Sequence, residues 1–470
     1  MARKKSKEPK FYQNLEITNA GSEGKSIARL DGKVIMVEYA VPGDIIHARV
    51  TSQKRSFETA VITEITQASP DRVETFCSHF GTCGGCKWQQ MSYPAQLKYK
   101  QQQVLDAFER IGKFPFPPME PILGSEKTKY YRNKLEYSFT DRKWLTQITD
   151  IGSLTKEENA GLGYHIPGRF DKVFTVDNCY LMDPLNDEIR NSIGSFCKKN
   201  DYDFFNLYGQ TGLMRNLLLR KNLKGEWMLI VSFGYEDLGK RIALLSHIQN
   251  AFPQITSLLY VINDKRNDTI HDLEVHVFAG NDYIMESLEE LEFKIGPKSF
   301  FQTNTEQTLN LYGKAREFAQ LSGDELVYDL YTGVGTIALF LAKKCKQMVG
   351  LEYVEQAIAD AKMNAELNGI TNASFFAGDM KDLLNSDFIE KNGKPDVVIT
   401  DPPRAGMHED VIKQLLAVKP KKIVYVSCNP ATQARDIALM MELYQVTKVQ
   451  PVDMFPHTHH VENIALLELI

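Results

Sequence analysis

From about residue 325 to the C-terminus the chain alternates short apolar runs with amphipathic stretches, and few architectures accept that texture. The apolar runs are ELVYDLY, QMVGLEY, ASFFAGD, DVVITDP and KIVYVSC; the amphipathic stretches fall at 337–344, 355–368, 408–418 and 431–443. Alternation of this kind specifies an α/β domain built on a doubly wound parallel sheet. Two further apolar strands, near 446–451 and 464–470, close it. In such sheets ligands bind at the carboxyl ends of the strands, so the residues that end each run are the first candidates for chemistry.

A chain of 470 residues exceeds one core and divides into two to four domains. With 43% hydrophobic and 24% charged residues it reads as an ordinary globular protein. No run of about 18 apolar residues is present, so no membrane span is expected, and no apolar stretch follows the basic MARKKSKEPK, which is therefore not a secretory signal. Residues 11–66 read as short strands broken at Gly21–Gly24, Asp31–Gly32 and Pro42–Gly43, the pattern of a small oligonucleotide-binding β-barrel. A linker near Pro70, a helix from 94 to 111, a proline-rich break at 114–121 and a mixed α+β region over 128–290 follow. The expected division is 1–68, 69–294 and 295–470, with the stretch 94–124 packed on the last unit.

The net charge of −5 argues weakly against nucleic-acid binding, but local charge matters more. Five basic residues lie within the first ten, and Arg215, Arg220, Lys221 and Lys224 fall within twelve residues with no acid. Either group is equally a solvated surface. Seven cysteines is an odd number and fits a disulfide framework poorly; three of them, within residues 77–86, suggest metal binding in a reducing compartment.

The first strand of the alternating region ends in Asp329-Leu-Tyr331-Thr-Gly333-Val-Gly335, where glycines admit a tight turn into the following helix. The third glycine of the dinucleotide fingerprint is missing, which lowers a dehydrogenase reading. Glu352 ends the second strand, where a carboxylate accepts both hydroxyls of a ribose, and Asp379 ends the third, positioned to face an adenine. The alternative for both acids is an ordinary surface position. The fourth strand runs into Asp401-Pro-Pro-Arg-Ala-Gly406, whose prolines hold the preceding side chain rigidly beside the crevice.

The fifth strand ends in Val426-Ser-Cys428-Asn-Pro. A cysteine at a strand tip before a helix start is placed to react, and the helix N-terminus is expected to lower its pKa. A thiolate that adds to carbon-6 of uracil makes carbon-5 nucleophilic, and a base must afterwards remove the carbon-5 proton. Glu462 is the first choice for that base, with His457, His459 and His460 as rivals and a histidine metal site as a third reading.

Together DLYTGVG, DPPRAG, YVSCNPATQARD and DMFPHTHHVEN resemble the RNA (uracil-5-)-methyltransferase family. The resemblance covers nearly the whole chain and is strongest after residue 295. It implies a Rossmann-like S-adenosylmethionine domain, with Gln302, Tyr331, Glu352, Asp379 and Asp401 as cofactor contacts beside Gly333 and Gly335, Cys428 as nucleophile and Glu462 as proton acceptor. The N-terminal barrel resembles a TRAM module. Cys77, Cys83, Cys86 and the distant Cys179 resemble the [4Fe–4S] ligands of the ribosomal-RNA branch, with four-cysteine zinc as the competing structural reading. Cys197 and Cys345 read as packed thiols. The segments at Arg132 and Arg215 resemble family segments that contact the RNA backbone, and Phe300 or Phe301 is expected to stack on a flipped uracil.

The resemblance thus implies a cytoplasmic monomer that methylates 23S ribosomal RNA. A transfer-RNA enzyme of the same chemistry is the first rival, ranked below because that branch generally lacks the barrel and the cysteines. A non-catalytic RNA-binding iron–sulfur protein is the second, and the presence of both Cys428 and Glu462 speaks against it.

Overall fold

A computed structural model of the chain describes residues 9–147 and 153–470, so most of the basic N-terminal run lies outside the described residues. The N-terminal unit is a six-stranded sheet of β1 (Phe11–Glu16), β2 (Asn19–Ala20), β3 (Ser26–Leu30), β4 (Lys33–Val37), β5 (Ile45–Gln53) and β6 (Phe57–Gln67), in the order β1-β5-β6-β4-β3-β2. Alternate residues point inward, as the two-residue period of a strand requires, and Leu15, Ala28, Ile35, Val37, Ile46 and Ala48 form a separate small core. Buried Asp44 joins this unit to the next segment: it accepts from Arg72 Nη2 at 2.6 Å and Nε at 3.0 Å, and from the Ser69 amide at 2.9 Å.

The central sheet contains β7 (Lys134–Thr140), β8 (Gly161–Ile166), β9 (Arg169–Thr175), β10 (Met214–Lys221), β11 (Trp227–Phe233), β12 (Ile255–Ile262) and β13 (His276–Gly280), in the order β13-β12-β11-β10-β7-β8-β9. Strands β10 and β11 are buried along nearly their whole length because each face meets a different core. Leu217, Leu219, Leu229 and Val231 pack with helices Leu185–Lys199 and Leu238–Ala251. Leu218, Met228 and Ile230 share the core of the C-terminal unit instead, together with the hairpin β14 (Ile284–Leu288) and β15 (Leu291–Ile295).

The C-terminal sheet holds β16 (Leu326–Leu330), β17 (Gln347–Glu352), β18 (Ala373–Ala377), β19 (Val397–Thr400), β20 (Lys422–Ser427), β21 (Tyr444–Val452) and β22 (Glu462–Leu469), in the order β18-β17-β16-β19-β20-β22-β21. The first five strands are parallel, and β22 lies antiparallel between β20 and β21. The chain builds outward from β16 in one direction and then returns to lay β19 on its other side. That reversal opens a crevice at the carboxyl ends of β16 and β19. The connection after β18 holds two short helices, Met380–Leu383 and Ser386–Asn392, started by the side-chain caps Asp379 and Asn385, where no helix was expected. Helix Tyr93–Ala107 lays Val104 and Ala107, with Phe108 and Phe114 beyond it, on the C-terminal core beside Ile437 and Tyr444.

Candidate active site

The crevice is lined first by the turn after β16. Tyr331 adopts a left-handed φ of 63° and Gly335 one of 82°. A β-carbon at Gly335 would stand 3.1 Å from Ala361 Cβ, so both the φ and the packing require glycine there. The Gly333 amide donates to Glu352 Oε2 at 3.2 Å, and the Val354 amide donates to Oε1 at 3.0 Å, which fixes the carboxylate at the end of β17. Beneath the turn, buried Asp329 accepts from Thr332 Oγ1 at 2.5 Å; burial pushes its pKa up to about 7. Asp379 differs from the other acids: it is partly exposed and paired to Lys381 Nζ at 2.7 Å, and that contact holds its carboxyl below the usual range. Gln302 is buried, its carbonyl accepting from Asn133 Nδ2 at 2.8 Å.

Across the crevice Asp401 ends the segment after β19, and desolvation pushes its pKa up to about 7. The loop that follows is tied to the helix after Cys428, Pro430–Ala438. Asn429 Nδ2 and Thr432 Oγ1 donate to the Arg404 carbonyl at 3.0 and 3.2 Å, Arg435 Nη2 donates to the Ala405 carbonyl at 2.8 Å, and the Met407 amide donates to buried Asp436 at 2.8 Å. The Asp401 loop and the Cys428 turn are thereby one rigid body.

Cys428 follows β20 directly, and Glu462 begins β22, the antiparallel neighbour of β20. Ser427 pairs with Asn463, which puts the thiol and the carboxyl on adjoining strands at one edge of the crevice. Gln433 locks the arrangement, donating to the Tyr425 and Asn463 carbonyls at 2.8 and 3.2 Å and accepting from Asn463 Nδ2 at 2.7 Å. Glu462 is 4% exposed; burial, reinforced by the Asp401 charge, pushes its pKa up to about 8, and Arg404 opposes the shift. The thiol contradicts the sequence-based expectation. Burial and the charges of Glu462 and Asp401 push Cys428 up to about 11, and only Arg404 and a backbone contact pull the other way. At the helix start Asn429 caps the Ala431 amide at 3.1 Å and Pro430 has no N–H to offer.

The three histidines are held neutral. Burial lowers His457 and His459 to about 4 and His460 to about 3. Their segment, 453–460, is braced from several sides. Asp453 forms a fully buried pair with Lys100 at 2.6 Å, Tyr131 Oη donates to the Pro456 carbonyl at 3.0 Å, and the Lys87 and Trp88 amides donate to the His457 carbonyl at 2.9 and 3.0 Å. The Lys87 and Trp88 amides follow Cys86 immediately, so the cysteine segment and the approach to Glu462 are hydrogen-bonded together.

Cys77, Cys86 and Cys179 are buried and Cys83 partly so, in one neighbourhood of the central core. Burial raises the pKa of Cys77 and Cys83 and brings Cys86 to about 12, and each also feels the charges of others in the set. Among the described residues no group of three His, Cys, Asp or Glu side chains is arranged to hold a single metal ion. Cys197 is buried in the same central core and Cys345 in the core of the C-terminal unit.

The basic residues near 215–224 require a correction. Arg215 is 2% exposed and donates to the carbonyls of Asn263, Lys265 and Asn267 at 2.6, 2.5 and 3.2 Å and to Asp268 at 2.9 Å. Arg220 donates to the Ser299 carbonyl at 2.6 Å, Lys221 pairs with Asp183, and Lys224 pairs with Glu292. They lie on or just after β10, in the middle of the central sheet, so the fold itself engages their donors and they do not form a free phosphate-binding face. Of the two phenylalanines, Phe301 is core, packed against Phe293, while Phe300 is 68% exposed beside Gln302. Arg404, Gln433 and Asp436 were missed as site residues. Only the motifs that contain them, DPPRAG and ATQARD, pointed toward them.

The crevice and its paired acids are those of an enzyme that binds a nucleoside cofactor at a doubly wound sheet. Residues 272–470 match the family model described as tRNA (Uracil-5-)-methyltransferase, and residues 11–62 match the TRAM domain. Proteins named uncharacterized RNA methyltransferase from Bacteroides thetaiotaomicron and Porphyromonas gingivalis are 53% and 54% identical, the matches covering 95% and 96% of this chain and 99% of each relative. The crystal structure of the Pyrococcus abyssi tRNA (uracil-54, C5)-methyltransferase in complex with S-adenosyl-L-homocysteine superposes with a TM-score of 0.74 at 28% identity, over 97% of this chain and 99% of that one. The chain belongs to the family of RNA uracil-5-methyltransferases, enzymes dependent on S-adenosylmethionine. Among the described residues no helix is long and apolar enough to cross a membrane.

Proposed function

We propose that this protein methylates carbon-5 of a uridine through a transient bond between Cys428 Sγ and carbon-6 of the ring. The register that sets Cys428 beside Glu462, at the crevice Asp401 lines, carries the reading. The Cys428 thiolate adds at carbon-6 and the ring electrons move to the carbon-4 carbonyl oxygen. Carbon-5 then takes the methyl group that S-adenosylmethionine, when bound, supplies as an electrophile. Glu462 accepts the carbon-5 proton, and the carbon–sulfur bond breaks to restore the thiolate. A carboxyl with a pKa near 8 suits that step better than histidines held near 3 to 4, since a base works best when its pKa lies near the working pH. Gln302, Tyr331, Gly333, Gly335, Glu352 and Asp401 would hold the cofactor, with Asp379 at the adenine end. A sulfonium beside Asp401 and Asp329 would ease the ionisation that burial now opposes.

We assign the barrel, 1–68, to RNA binding, 69–294 to a [4Fe–4S] site, and 295–470 to methyl transfer, in a cytoplasmic monomer. A cubane takes one thiolate on each of four irons, and Cys77, Cys83, Cys86 and Cys179 would supply them. We read 23S ribosomal RNA as the substrate from the cysteine set beside the barrel. A second reading, transfer RNA, is favoured by the Pyrococcus abyssi enzyme, whose match over 97% of this chain removes the barrel as a discriminator. Mass mapping of 5-methyluridine in ribosomal and transfer RNA from cells lacking the gene separates the two. Loss in neither would overturn the proposed reaction.

A further inference from the structure

Beside the segment that leads to Glu462 lies a cluster of aromatic rings and lysines. Phe76 stands edge-on to His457 with ring centroids 4.9 Å apart and edge-on to Tyr180 at 5.4 Å. Lys129 Nζ lies 4.0 Å from the Phe76 centroid and 5.9 Å from that of Tyr180. Tyr130 is 44% exposed, sits 6.2 Å from Tyr180, and adopts a left-handed φ of 58° that turns the chain at this point. Lys87, whose amide donates to His457, places its own Nζ over another aromatic ring. Among the described residues neither Lys87 nor Lys129 forms an ion pair, unlike Arg215, Lys221 and Lys224 of the central sheet.

We infer that Lys87, Lys129 and Tyr130, backed by Phe76 and Tyr180, form a docking platform for a single-stranded stretch of RNA next to the target uridine. The inference deepens the proposed function and rests on it for the identity of the target base. Unstacked bases bind to aromatic faces and lysines outside ion pairs take phosphates, so an exposed tyrosine in a cluster with such lysines has the chemistry of a single-strand site. A uridine must leave its stack to reach Cys428, which frees its neighbours for such a surface. The platform meets the His457 segment directly through the Phe76 and Lys87 contacts, so a strand held there runs toward the crevice.

The test uses the intact protein and a dye-labelled oligouridine of about 12 nucleotides. Tyr130→Ala should weaken binding roughly five- to hundredfold, whereas Tyr130→Phe keeps the ring and should bind as the wild type does. Lys87→Ala and Lys129→Ala should each lower the slope of log affinity against log salt by about 0.7. S-adenosylmethionine affinity and melting temperature should stay unchanged. Wild-type affinity and salt slope in all three alanine variants would overturn the platform, even with methylation intact. Loss of methylation of bulk cellular RNA by the wild type, with oligouridine binding still sensitive to these substitutions, would overturn the proposed reaction and leave the platform standing.

Discussion

Glu462, the first residue of β22, lies beside Cys428, the residue that follows β20, because the antiparallel register joins Ser427 to Asn463. Two groups 34 positions apart in the chain become neighbours through one strand pairing. The chemistry proposed here follows from that adjacency.

Replacing Cys428 with alanine removes the atom that saturates the ring. Methyl transfer from labelled S-adenosylmethionine to RNA should fall below detection, while the cofactor still binds. Methylated RNA at the wild-type rate would end the proposal.

Glu462→Gln keeps the shape and loses the base. The methylated ring should then stay bonded to Cys428, and labelled RNA should migrate with the protein on a denaturing gel. In the wild type both Cys428, near 11, and Glu462, near 8, must lose protons, so turnover should rise with pH through about 8 and keep rising toward about 11. A flat profile with no shifted band in the glutamine variant would remove Glu462 from the role.

Stability should fall over part of the same range. Asp329 and Asp401, near 7, and Glu462, near 8, all lie above their ordinary values of 3.8 and 4.5. Between those limits the folded chain holds protons that the unfolded chain has released, so this contribution is full below about pH 4 and is lost as pH rises through about 8. Thermal melts across that window should show a smaller loss for Glu462→Gln than for the wild type. An equal loss would mean that Glu462 does not titrate there.

If the four clustered cysteines hold a [4Fe–4S] group, the purified protein should be brown, with iron and sulfide in equal amounts. Cys83→Ala should lose the visible absorbance and melt at a lower temperature, because the segment beside Cys86 supports the His457 loop. A colourless wild-type protein with zinc, or an unchanged colour in the variant, would exclude the assignment.

Arg215→Ala separates a structural arginine from a phosphate contact. Its buried guanidinium bridges three carbonyls and Asp268, and leaving those acceptors without their donor costs about 1–3 kcal/mol. The salt dependence of RNA binding should not change. A lower salt slope with normal stability would return Arg215 to the RNA surface.

The sequence by itself determined the C-terminal architecture, because each strand is a contiguous apolar run and each crossover but the one after β18 a contiguous helix. Motifs that sit within one turn, such as Asp329–Gly335 and Asp401–Gly406, could likewise be read directly. Tertiary structure alone decided the fate of the charged side chains. Arg215 and Arg220 are basic residues in a list, but both faces of the central sheet are covered and their donors find partners far away in sequence. Burial also overrode local dipoles: the helix after Cys428 suggested an acidic thiol, yet carboxyls from other strands and the loss of water raise its pKa. A side chain's charge state depends on everything packed around it, and most of those neighbours are remote along the chain.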